Sequence, residues 1–124
     1  MVDKSRSVLV VEDDDAVRTL VVRQLSESYT VYQAPDAQAA LTLLASVRPP
    51  NLIICDVMMP GMNGIELVRH LRSNPNFKSV PVIFLTAKTS PLDVIEGINS
   101  GARHYVTKPF QMKDLLEKVA KAIK

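Results

Sequence analysis

Two hydrophobic periodicities alternate along this chain from end to end, and few folds accept that pattern. Short apolar runs sized for buried strands occur at Val8-Leu9-Val10-Val11, Tyr29-Thr30-Val31-Tyr32 and Leu52-Ile53-Ile54-Cys55. Two more follow at Val82-Ile83-Phe84-Leu85 and His104-Tyr105-Val106. After each run the apolar residues take helical spacing. The stripes are Val17, Leu20, Val21, Leu25, then Ala37, Ala40, Leu41, Leu44, then Leu67, Val68, Leu71. A weaker stripe joins Ile95, Ile98 and Ala102, and the clearest joins Met112, Leu115, Leu116, Val119, Ala120 and Ile123. Punctuation agrees. Asp36 after Pro35 is placed to cap the second helix, and Asn74-Pro75 stops the third. Ser90-Pro91-Leu92-Asp93 starts the fourth, and Gly101 ends it.

Five strands alternating with five helices imply an α/β fold whose parallel sheet is covered on both faces. Right-handed crossovers leave few topologies, of which the flavodoxin-like doubly wound order 2-1-3-4-5 is expected. A length of 124 residues fits a single domain spanning 1–124. No apolar run approaches the roughly 20 residues that cross a bilayer. Met1 to Arg6 leads into the first strand without a secretory h-region. The lone cysteine, Cys55, closes an apolar run and reads as strand core in a reducing compartment, so a cytoplasmic protein with no membrane contact is expected. A formal charge of +2, no Trp and scattered basic residues argue against direct nucleic acid binding. Lys113, Lys118, Lys121 and Lys124 share their helix with Asp114 and Glu117 and read as a solvated face.

In such sheets the ligand site lies beyond the carboxyl ends of the strands, where the order reverses between strands 1 and 3. Strand 1 runs into Glu12-Asp13-Asp14-Asp15, and strand 3 ends at Asp56. Carboxylates brought together there either rise in pKa or recruit a cation, and hard oxygens with water suit Mg²⁺. Strand 4 ends in Leu85-Thr86-Ala87, a hydroxyl followed by a side chain too small to block the crevice. Strand 5 runs into Thr107-Lys108-Pro109, which adds an ammonium. Singly, each residue has a plainer account: Asp14 is better read as a helix cap, and Lys108 could be a loop lysine. Their joint occurrence at four strand ends favours a site. His70 and His104 have no evident partners and read as surface residues; no zinc spacing or Ser-His-Asp pattern is present.

The segments VLVVEDD at 8–14, IICDVMMPGMNG at 53–64, VIFLTAK at 82–88 and HYVTKPF at 104–110 together resemble the receiver domains of two-component response regulators. The resemblance covers essentially the whole chain. It implies that Asp56 accepts a phosphoryl group from a phosphohistidine or from acetyl phosphate. Asp13, Asp56 and the backbone carbonyl of Met58 would then bind Mg²⁺ directly, with Glu12 acting through water. Thr86 and Lys108 would contact the phosphoryl oxygens beside Ala87, and Tyr105 would be the switch aromatic. Met58 and Lys88 would tune dephosphorylation, and a cis Lys108-Pro109 bond is expected. Asn63 stands where an aspartate is frequent, and it still caps well.

The implied partners are a sensor histidine kinase or phosphotransfer protein and a downstream target protein or output domain. The output face would combine the helix after strand 4, strand 5 and the C-terminal helix. Pairing of two copies through that face on phosphorylation is an option the residues do not decide. The implied protein is a switch, not an enzyme, catalysing only its own phosphotransfer and slow autodephosphorylation. An aspartate-nucleophile phosphatase would want a second acid where Met58 stands. A flavin or nucleotide protein would want a phosphate loop where four acids stand. The alternative kept open is a degenerate receiver that binds protein without being phosphorylated.

Overall fold

The computed structural model describes residues 4–86 and 102–123. Its strands are β1 (Ser7–Val11), β2 (Thr30–Ala34), β3 (Leu52–Asp56), β4 (Val82–Thr86) and β5 (Ala102–Thr107). Its helices are α1 (Asp15–Leu25), α2 (Ala37–Leu44), α3 (Gly64–Arg72) and α4 (Met112–Ala122). The strands pair in parallel in the order β2-β1-β3-β4-β5, as the alternating periodicities require. The helix expected between Ser90 and Gly101 lies outside the described residues.

Successive strand side chains point to opposite faces, and here both faces are dry. Leu9, Val11, Ile53, Cys55 and Phe84 pack toward α2 and α3. Val8, Val10, Leu52, Ile54, Ile83 and Leu85 pack toward α1 and α4. Every residue of β3 and β4 is buried, which explains why these strands read as continuous apolar runs. Each such Leu or Ile contributes about 1.5–3 kcal/mol. Truncating Phe84, fully buried at the centre, would cost about 3–5 kcal/mol.

Helix starts follow from local chemistry. The Asp14 carboxylate accepts from the amides of Ala16 and Val17 at 2.9 and 3.1 Å, and Asp36 accepts from Ala39 at 2.8 Å. Asn63 and Glu66 form a reciprocal capping box at the start of α3.

Several sequence expectations shift, and Ala102, expected on the fourth helical stripe, instead opens β5 beside Val82. Tyr29 is not in β2, because its amide donates to the Leu25 carbonyl at 2.9 Å and so closes α1. Leu20 remains 50% exposed, since the buried edge of α1 runs through Val21 and Leu25, and Leu20 sits about 100° away from Val21. On α4 the buried set is Leu115, Val119 and Ala122; Ala120 faces outward for the same reason. His70 is exposed as expected, whereas His104 in β5 is half-buried.

Candidate functional site at the carboxyl edge of the sheet

Register turns four separate sequence positions into one place. Val11 stands beside Cys55, Asp56 beside Leu85, and Thr86 beside Thr107. Glu12 follows the last residue of β1, Asp56 ends β3, Thr86 ends β4, and Lys108 follows β5. All four therefore emerge at the same edge. Two further backbone bonds seal it: the Lys108 amide donates to the Thr86 carbonyl at 2.8 Å, and the Val57 amide to the Leu85 carbonyl at 3.1 Å. The Lys108-Pro109 peptide is cis.

Glu12, Asp13 and Asp56 each bring a carboxylate oxygen to within 4.8 Å of the others. Glu12 is fully buried and Asp56 nearly so, while Asp13 is exposed. The Lys108 Nζ lies 2.6 Å from Glu12 Oε1 and 3.1 Å from Asp56 Oδ2. The first contact is a close ion pair, and among the described residues the buried Glu12 Oε1 has no other well-directed hydrogen-bond donor. Glu12 Oε2 accepts from the Asp14 amide at 3.1 Å, and Asp56 Oδ1 from the Met58 amide at 3.1 Å.

With all three acids ionised, the one ammonium in contact with them among the described residues leaves the cluster two charges short of neutrality. Burial first, then the neighbouring Glu12 carboxylate, pushes Asp56 up from 3.8 to about 7, and Lys108 only partly offsets them. Burial works against the Lys108 charge, but its contacts with Glu12 and Asp56 prevail and raise its pKa. A divalent cation would supply the missing charge. The donor set of carboxylate oxygens, one of them buried and, among the described residues, met only by the Lys108 ammonium, fits a hard metal ion. Cys55 beside it is no competitor: burial, reinforced by Asp56 and Glu12, pushes its thiol up and keeps it protonated.

Thr86 is buried at the tip of β4. Tyr105 is half-buried, with its ring centroid 5.6 Å from that of Phe84 at a 39° tilt. Met58 stands 54% exposed at the rim. The expected contributions of Ala87 and Lys88 lie outside the described residues. Gly64 backs the site, because a Cβ there would sit 2.2 Å from the Asp56 carbonyl oxygen.

One residue escaped the sequence reading. Arg18, on the first turns of α1, donates from Nη1 to the Glu12 carbonyl at 2.8 Å and from Nε to Gln33 Oε1 at 3.2 Å. Its Nη2 pairs with Asp15, and that three-residue spacing was the available signal.

The sequence matches the family described as the response regulator receiver domain over residues 8–120. The chain belongs to that family. Among relatives, this receiver domain is similar to the DNA-binding response regulator MtrA of Mycolicibacterium smegmatis, at 42% identity over 115 residues. That match takes in 90% of this chain and 48% of the relative, so the chain spans about half the length of such proteins. Among solved structures, the receiver domain resembles the chemotaxis protein CheY4 of Vibrio cholerae. The TM-score is 0.89 at 35% identity, covering 94% of this chain and 98% of the other. It also resembles the receiver domain of a signal transduction histidine kinase from Syntrophus aciditrophicus, at 32% identity and a TM-score of 0.86, covering 96% and 90%. No helix among the described residues is long and apolar enough to cross a membrane.

Proposed function

We propose that this receiver domain is a phosphorylation-dependent switch that takes a phosphoryl group onto Asp56. The observation that carries the reading is the Asp56 carboxylate, buried yet within 3.1 Å of the Lys108 ammonium and within reach of two further acids. An Asp56 oxygen attacks phosphorus, the new O–P bond forms, and the P–N bond to the donor imidazole breaks with its electron pair leaving on nitrogen. The chain's part is positioning and charge neutralisation, which dominate phosphoryl transfer. Asp13, Asp56 and the Met58 backbone carbonyl would hold Mg²⁺ directly and Glu12 through water, and the ion supplies charge neutralisation at the phosphoryl oxygens.

Lys108 already faces Asp56 and keeps its partner when the carboxylate becomes an acyl phosphate. The added group, with a charge near −2, attracts the Thr86 hydroxyl at the neighbouring strand tip. Movement of Thr86 and of the Tyr105 ring would carry the change to a face built from β5, α4 and the segment after β4. The phosphoryl donor would be a histidine kinase or phosphotransfer protein, and the recipient of the signal a target protein or output domain. A groove of about 480 Å³ lined by Val17, Leu20, Lys108, Pro109, Phe110 and Met112 opens beside the site and offers such a donor an apolar seat. The domain would catalyse only its own phosphorylation and the hydrolysis that resets it. The buried lone thiol suits a reducing cytoplasm.

Incubation with acetyl phosphate, with and without Mg²⁺, tests the reading by intact mass. A metal-dependent phosphate adduct on the wild type that is absent from Asp56→Asn is expected. No adduct under any condition would leave a protein-binding module that is never phosphorylated.

A further inference from the structure

Arg18 lies apart from the acids, yet it is placed to govern them. Its side chain is only 15% exposed, and it joins three elements: the Glu12 carbonyl after β1, Gln33 in β2 and Asp15 at the start of α1. The Glu12 amide is engaged from the other side, donating to the Ala34 carbonyl at 3.1 Å. The Glu12 carbonyl belongs to the peptide that carries Asp13, so the guanidinium sets the plane of that peptide. It thereby sets the direction in which the exposed Asp13 carboxylate leaves the chain. A planar fork suits this task because its donors have fixed directions, which a lysine ammonium lacks.

We propose that Arg18 is a positioning residue for the cation site, holding the Glu12–Asp13 peptide so that both carboxylates face Asp56. The proposal rests on the metal-binding reading above. Electrostatics and positioning make opposite predictions for this residue. Removing a cation near an acidic cluster should tighten divalent metal binding, whereas releasing the peptide should loosen it.

The experiment titrates Mg²⁺ into the wild type, Arg18→Met and Arg18→Lys. Mg²⁺ affinity is read from the rise in melting temperature, and acetyl phosphate labelling of Asp56 is read at limiting and saturating Mg²⁺. The expected result for Arg18→Met is a Mg²⁺ Kd weakened about tenfold. Its labelling rate should return to the wild-type value at saturating Mg²⁺. Arg18→Lys keeps the charge and the buried stem, so it should remain folded and should also bind Mg²⁺ more weakly than wild type. A lower melting temperature with unchanged or tighter Mg²⁺ binding would make Arg18 a purely structural pin and overturn the proposal. A wild type that does not respond to Mg²⁺ would overturn the cation site itself.

Discussion

Replacing Asp56 by Asn should stabilise the metal-free protein at pH 8 and do less than half as much for it at pH 5. In the folded chain the carboxyl is pushed up from 3.8 to about 7 by burial and by Glu12. Between those two values the folded state keeps a proton that the unfolded chain has released. Stability from this group therefore falls as pH rises from 3.8 and levels off above about 7, opposite to a salt-bridged aspartate. Three pKa units correspond to a ceiling of about 4 kcal/mol. The value of about 7 already includes the Lys108 attraction, and relaxation and water entry around the ionised group take up part of the ceiling, so roughly 2 kcal/mol is the expected net gain at pH 8. For a chain of this size that is a rise of roughly 6–8 °C in Tm. Urea unfolding of both proteins in EDTA at pH 5 and pH 8 measures it. Mg²⁺ should then close the gap at pH 8, because it stabilises the ionised cluster of the wild type. An Asn variant no more stable than wild type at pH 8, or an advantage equal at both pH values, would refute the electrostatic reasoning.

Other consequences follow from contacts. Gly64→Ala drives a Cβ into the Asp56 carbonyl and should cost about 1–3 kcal/mol in urea unfolding, because the atom it meets is backbone. Leu20→Glu should leave acetyl phosphate labelling intact while slowing transfer from a phosphorylated donor protein about tenfold or more, since a central apolar contact is worth about 2 kcal/mol; equal rates would remove the groove from the docking surface. Met58→Asn replaces an exposed apolar side chain at the rim with one that can orient water. It should shorten the half-life of the phosphorylated form about threefold or more, a change of about 0.7 kcal/mol in barrier, followed by loss of the mass adduct after acetyl phosphate is removed.

Much of this was legible in one dimension, for identifiable reasons. The strands β1, β3 and β4 are buried on both faces, so their residues must be apolar regardless of which neighbour they meet. Asp14, Asp36 and Asn63 act within three residues of their own position, and such caps are visible to any local reading. The misplacements came where one local signal overrode another, or where helical phase did not decide burial. The Tyr29 amide was claimed by the end of α1, and Leu20, apolar and in phase, was left facing outward beside Pro109 and Phe110.

The site divides along the same line. Sequence alone determined which side chains stand at the strand ends, because the alternation of periods sets the sheet and a parallel sheet gathers its carboxyl ends on one edge. Tertiary structure decided what those side chains are. Glu12 became a fully buried acid, Asp56 a carboxyl whose pKa is raised to about 7, and Lys108 their shared counter-charge. It also recruited Arg18 through a bond to a backbone carbonyl. Burial, through-space charge and contacts to main-chain atoms depend on distances across the sheet, and side-chain identities along the chain do not carry those distances.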